Sequence, residues 1–560
     1  MTKFFSQRTA QKPRMEDTIK SCPPKRSVVS KTVELAKQNM RQKPWRSTIT
    51  AILLSVLAVN SVQAAPTEGG KIDLTVNPEP PALMLGVISN ASAQLVAGNI
   101  YEGLLRYDDK LQPQPSLAKS WDISPDGLTY TFHLHENVKF HDGVPMTSDD
   151  VLFSVKDLLL KTLPSQRLIM KHVKSVTAPD KYTVVFKLKA PFEAFIRTFS
   201  FAKMPIIPKH LYAGTDYYTN PHNKTPIGTG PFKFAEWKHG NYIKLVKNKD
   251  YYLPGKPYLD QVIYHVIPDS ASRSVAYENG VLNVLPGGTV ENFDIDRLSK
   301  LPNSCLTEKG WEYNSPLSWL WLNNAEAPMN NPKFRKAIMY ALNRQFARDV
   351  LWNGYAKIAT GPFSQRLPFY SEQKPEYDYD PAKAKALLKE IGYKGKKPLR
   401  LLPLPYGETW QRWAEAVKQN LEEVGIPVSI EATDVAGWNQ RTSNRDYDIA
   451  FTYMYQNGDP AIGVERNYRS TQIPKGSPWT NVEGYNNPKI DKLFDQASVA
   501  FPASERQKIY DTIQAKLQQD VPVAWLLDLS FPTIYNCKYQ NLITTANGLS
   551  SSLRDTWIKK

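Results

Sequence analysis

The sequence predicts an α/β protein of two or three domains. Three observations predict it. The chain has 560 residues, more than a single hydrophobic core normally serves. Short alternating runs rich in Val, Ile and Tyr recur between stretches of helical spacing. No internal repeat and no low-complexity stretch breaks that order.

The first strand is read at 71–76 and is closed by the Asn77-to-Pro81 run. Helical spacing follows over 93–105. Asp126-Gly127 is a hairpin turn, with 129–135 as its second strand. Thr147 with Asp150 three residues on is a capping box, predicting a helix to about 161. The stretch 227–247, Gly228-Thr229-Gly230-Pro231 followed by two alternating runs, predicts a tight turn and a surface hairpin. A buried strand at 260–267, a helix at 270–280 and a strand at 281–285 complete the first half.

In the second half, strands are read at 320–324, 399–404, 428–432, 447–452 and 521–526. Helices are read at 331–344, 381–391, 410–424 and 506–518. Gly392 and Gly425 close two of them.

The formal charge is +16, but its placement argues against nucleic acid as a partner. Residues 1–64 hold 12 Lys and Arg against Glu16, Asp17 and Glu34, a net of +9, leaving +7 for the rest. That leader has the form of an export signal. Residues 40–46 are a basic n-region, 51–59 an apolar h-region, and Val62-Gln63-Ala64 predicts cleavage before Ala65. The apolar run is too short to span a bilayer. No Cys follows it, so the mature form is expected in the periplasm. The start is open between Met1 and Met40. After Cys22 in the leader, only Cys305 and Cys537 remain, either bonded or as two buried thiols.

Several blocks carry a family resemblance. They are Leu117-Ala118…Ser120-Trp121, Asp126-Gly127…Thr129-Tyr130-Thr131-Phe132, and Val138-Lys139-Phe140-His141-Asp142-Gly143. The Gly228-Thr229-Gly230-Pro231 block and Phe334-Arg335…Asn343-Arg344 add to them. Together, over about 70–560, the chain resembles the extracytoplasmic solute-binding proteins of ABC importers, the dipeptide, oligopeptide and nickel group. His135 departs from the family, which often has Arg or Lys there.

The resemblance implies a two-lobed periplasmic-binding-protein fold of type II with an extra domain and a hinge. It implies domain I at 65–108, 216–308 and 525–560, domain II at 109–215 and domain III at 309–524. It also leans towards a bond between Cys305 and Cys537, which would lie near one domain. The implied function is a monomeric periplasmic receptor. It takes a small-molecule or peptide solute and delivers it to an inner-membrane ABC permease, with no cofactor.

A captured solute must regain the hydrogen bonds it had with water, and aromatic walls supply contact area. The polar ends of the strands are therefore the expected ligand positions. They comprise Asn90 beside Ser89, then Trp319, Trp321 and Asn323, then Tyr406 and Trp410. Tyr453, Tyr455, Gln456, Asn457 and Asp459 complete them. Peptide-binding relatives commonly carry an Asp four residues before the loop proline, where it pairs with the peptide α-amino group. Here that position is Gln456 before Pro460, and an amide lacks that charge. An opine, a sugar-like solute or a metal complex is the alternative.

No nucleophile elbow, zinc-protease helix, Walker loop or dinucleotide fingerprint is present. A hydrolase of cell-wall fragments is the enzyme alternative. His133, His135 and His141 are the nearest approach to a metal set, but without a Cys or Glu cluster they read as hairpin histidines. No catalytic residue and no metal is expected.

Overall fold

Burial of every residue from Ile72 to Val76 makes Lys71–Val76 a strand covered on both faces, as a central strand of a parallel sheet must be. It runs parallel to Gln261–Val266 and to Val284–Leu285. The computed structural model describes residues 65–560, except 89, 373–376 and 477–478. The expected export signal, its cleavage after Ala64, Cys22 and Ser89 lie outside the described residues.

The sheet has seven strands in the order Ser304–Thr307, Thr533–Asn536, Val284–Leu285, Lys71–Val76, Gln261–Val266, Tyr242–Lys247, Phe232–Lys238. The last two form the hairpin expected after Pro231, turned at Gly240 with φ +71°. The root of that hairpin differs from expectation. Neither Gly228 nor Gly230 has a positive φ, so no tight turn demands them. A Cβ at Gly228 would stand 2.1 Å from the Ile100 carbonyl oxygen, and one at Gly230 2.6 Å. The Gly230 N–H donates to that same oxygen at 2.8 Å. Thr229 donates to the buried Glu102 at 3.1 Å. The block is a buried clamp on the chain leaving the first helix. That helix is Ala91–Ala97, shorter than expected, and it ends at Gly98, where a Cβ would stand 2.2 Å from the Ser550 carbonyl oxygen.

A four-stranded antiparallel sheet holds Ala118–Ile123, Thr129–Leu134, Thr183–Leu188 and Val173–Asp180. The Thr147–Asp150 capping box opens Ser148–Phe153, which continues through a π turn, Ser154–Leu158, to Leu159–Thr162. One hydrophobic core joins this sheet to the seven-stranded one. A second core surrounds a six-stranded sheet. Its order is Ala356–Ile358, Val523–Leu529, Leu317–Leu322, Ile449–Met454, Leu399–Leu402, Val428–Ile430.

The main chain passes between the seven- and six-stranded sheets at 308–316 and returns at 530–532. The strand Val523–Leu529 is in the six-stranded sheet, so a boundary between 524 and 525 would cut it. Cys305 and Cys537 are bonded, with Cα atoms 5.2 Å apart. The bond ties Ser304–Thr307 to the chain just after its neighbour Thr533–Asn536, close to both crossings. Among the described residues no helix is long and apolar enough to cross a membrane.

Candidate solute-binding site

Parallel strands on both sides of the crossings end at one place. Asn77 follows Lys71–Val76, and Pro286–Thr289 follows Val284–Leu285. Tyr406 follows Leu399–Leu402, and Tyr453 and Tyr455 end Ile449–Met454. Open α/β sheets hold ligands at such carboxyl ends. Two adjoining cavities lie here, of about 190 and about 360 Å³. They share Ala91, Gln94, Asn314, Tyr406, Tyr453 and Tyr455.

The crossings form part of the wall. Trp311 and Phe531, one from each crossing, have ring centroids 5.1 Å apart. The indole N–H of Trp311 donates to the Phe531 carbonyl at 2.8 Å. The aromatic wall continues through Tyr453, 5.8 Å from Phe531 and stacked on Trp410 at 5.7 Å. Tyr406 stands edge-on to Tyr453 and is 44% exposed. Burial pushes the Tyr455 phenol up to about 12 and raises that of Tyr406. Both therefore present neutral hydroxyls to a solute.

Two ties cross between the halves. Glu291 accepts from the Thr409 hydroxyl at 2.8 Å and from two amides opening the helix Glu408–Glu423. The carboxylate of Asp459 accepts from Arg506 at 3.0 Å and from Arg197 at 3.3 Å.

The larger cavity also holds two cations. Lys203 comes from the turn after the 3-10 segment Glu193–Thr198, and Arg466 from the 3-10 turn Glu465–Asn467. Burial and the neighbouring Arg466 push the Lys203 ammonium down to about 7. Burial lowers Arg466 to about 10.

The structure brings Asn90, Tyr406, Trp410, Tyr453, Tyr455 and Asn457 to the cavities. Asn90 also caps the helix Ala91–Ala97. Asn457 sits at φ +53°, a conformation its short amide tolerates.

The remaining expected residues are elsewhere. Trp319 and Trp321 are fully buried in the middle of the six-stranded sheet, Trp321 stacked on Trp438. Asn323 is buried and donates to the Tyr447 carbonyl at 3.1 Å. Gln456 is buried with both ends of its amide used: it donates to the Pro362 carbonyl and accepts from the Ser364 N–H, each at 2.8 Å. Asp459 caps Pro460–Gly463 and is consumed by its arginines. These five residues serve the fold and do not line the cavities.

His133 pairs with Asp122 at 3.0 Å, and His135 packs against Tyr252. His141 sits between Gly228 and Gly230, and burial pushes it down to about 4. Three histidines in three settings form no ligand set, and no cluster of three metal-binding side chains occurs among the described residues.

The reading from sequence missed Lys203, Arg466, Asn314 and the crossing pair Trp311 and Phe531. A lone basic residue has no period to reveal it. The aromatic pair could have been sought where two strand runs meet a break in chain direction.

Two sheets joined by two crossings around a cavity define a two-lobed solute-binding protein of the type II periplasmic class. Residues 112–475 match the model for bacterial extracellular solute-binding proteins, family 5 (middle), and the chain belongs to that family. Its members are the substrate-binding subunits of ABC importers. The chain is 27% identical over 450 residues to the glutathione-binding protein GsiB of Pectobacterium atrosepticum, covering 78% of this chain and 84% of that one. It is similar to the periplasmic binding protein DppA of Helicobacter pylori solved with the peptide STSA. The TM-score is 0.78 and the identity 28%, covering 88% of this chain and 99% of that one. AgaA of A. tumefaciens solved with agropinic acid gives a TM-score of 0.76 at 28% identity, covering 88% and 99%.

Proposed function

We propose that the chain is a monomeric periplasmic receptor that captures a small peptide or peptide-like solute between its halves. It then presents the solute to an inner-membrane ABC permease without changing it covalently. The observation that carries this reading is the aromatic and amide-lined space at the strand ends of both sheets, walled by the two crossings themselves. Closure about such crossings traps a ligand and replaces its water. The relatives named for glutathione and for a bound peptide support the solute class.

We keep domain I at 65–108 and 216–308 and domain II at 109–215, and place the last boundary at the second crossing, which gives domain III 309–529 and the end of domain I 530–560. Export with cleavage before Ala65 completes the reading, and N-terminal sequencing of the periplasmic form checks it.

An opine is the second reading. Gln456 stands where an ammonium-pairing carboxylate would, and its amide is committed within the fold.

The test is native mass spectrometry of protein purified from periplasm. A small molecule retained on the native protein and released on denaturation is expected. Turnover of peptides or cell-wall fragments by the same preparation would replace the receptor with an enzyme.

A further inference from the structure

This inference rests on the receptor reading and concerns the chemistry of the solute. Lys203 and Arg466 share the larger cavity. Neither side chain has a hydrogen-bond or ion-pair partner among the described residues, and the Arg466 Nε is buried and unpartnered. The carboxylates nearest in sequence to these residues are already engaged. Asp459 is held by Arg506 and Arg197, Glu193 by Arg506, and Glu465 by Arg469. Among the described residues, neither cavity has an Asp or Glu in its lining.

Two like charges facing one sheltered space repel, and a desolvated cation without a counter-charge is costly. One anion placed between them relieves both penalties. A guanidinium fork with an adjacent ammonium suits the two oxygens of a carboxylate. We propose that Lys203 and Arg466 form a subsite for a carboxylate of the solute. The receptor therefore selects an acidic peptide or peptide-like acid by its negative end, and leaves its amino end without a charged partner.

A second consequence concerns protons. Lys203 is held near 7 by burial and by Arg466, and a carboxylate beside it favours its charged form. Binding of an acid therefore takes up a proton and weakens as pH rises above 7. The other titratable groups facing this space are the neutral phenols of Tyr406, Tyr453 and Tyr455. Lys309 faces the adjoining smaller cavity.

Titration calorimetry on the mature chain tests the proposal with paired probes. One pair is tetra-alanine and its C-terminal amide. The other is an N-(1-carboxyethyl) amino acid, standing for opines, and its methyl ester. At least one acid is expected to bind, with its neutral partner at least ~10-fold weaker. Lys203→Met and Arg466→Met should each abolish that preference while melting no lower than the native chain, and Arg466→Lys should keep part of it. Acid affinity should fall between pH 7 and 9 in the native chain and not in Lys203→Met. Equal binding of acid and neutral partner overturns the subsite, as does failure of both acids to bind. The pair that responds tells peptide from opine. A neutral solute carried from the periplasm would overturn the subsite and leave the receptor standing, whereas turnover would remove the receptor itself.

Discussion

Two groups of cations flank the short segment 459–466, and they differ in how they are neutralised. Arg506 is fully buried beside Asp459, with Glu193 and Arg197 completing the set and the Phe369 ring 4.5 Å from its guanidinium. Lys203 and Arg466 face the cavity with no protein anion between them. The first cluster is finished by the chain. The second is finished only by something that arrives. The difference separates residues that hold the halves together from residues that select what the halves enclose.

The comparison is broken most directly at Arg506. Arg506→Met leaves Asp459 buried without its main counter-charge, and such removals cost roughly 3–5 kcal/mol. Lys203→Met removes an unpaired, desolvated charge and should cost no stability at pH 7, raising it instead. Urea denaturation of both variants checks the contrast. Equal losses would mean that both clusters are structural.

The loop residue Gln456 sharpens the same line between fold and site. Viewed from sequence, Gln456→Asp should restore an anchor for free amino ends. In the structure the amide spans the Pro362 carbonyl and the Ser364 amide. An aspartate cannot donate to that carbonyl and buries a charge, at a cost of about 3 kcal/mol. The expected outcome is a lowered melting temperature with no gain in affinity for peptides bearing free amines. A gain in that affinity at unchanged stability would return Gln456 to the site.

How much was legible in the sequence follows from which interactions are local. The capping box of Thr147 and Asp150 needs only a spacing of three, and it was read correctly. The alternating strands and the aromatic ends at Tyr406, Tyr453 and Tyr455 were equally visible. Gly228 and Gly230 were visible as residues but not in their role, because the carbonyl they clear belongs to Ile100. Trp319 and Trp321 sit on a strand end that local pattern made polar, yet neighbours on both sides bury them in the sheet. Asp459 meets arginines 47 and 262 residues away, and no window of sequence shows that. Lys203 and Arg466 were the least legible, since what marks them is the lack of a partner in three dimensions.

The last effect expected is a change in the pH dependence of stability, and its sign is specific. Lys203 titrates at about 7 in the fold against 10.5 ordinarily. Between those values the unfolded chain keeps a proton that the folded chain has released, so this residue makes stability rise with pH across that window. Glu465 acts in the opposite sense and in a different window. Burial pushes it up to about 7 from 4.5, against the pull of Arg469, so its contribution falls as pH rises from 4.5 to 7. The difference in stability between the native chain and Lys203→Met isolates the first window. It should shift in favour of the native chain from pH 7 to 10 when the cavity is empty. With a saturating acid that shift should shrink, because the bound carboxylate keeps Lys203 charged in the fold. An identical shift with and without the acid would place Lys203 out of contact with the solute, and would leave Arg466 alone to account for any preference for acids.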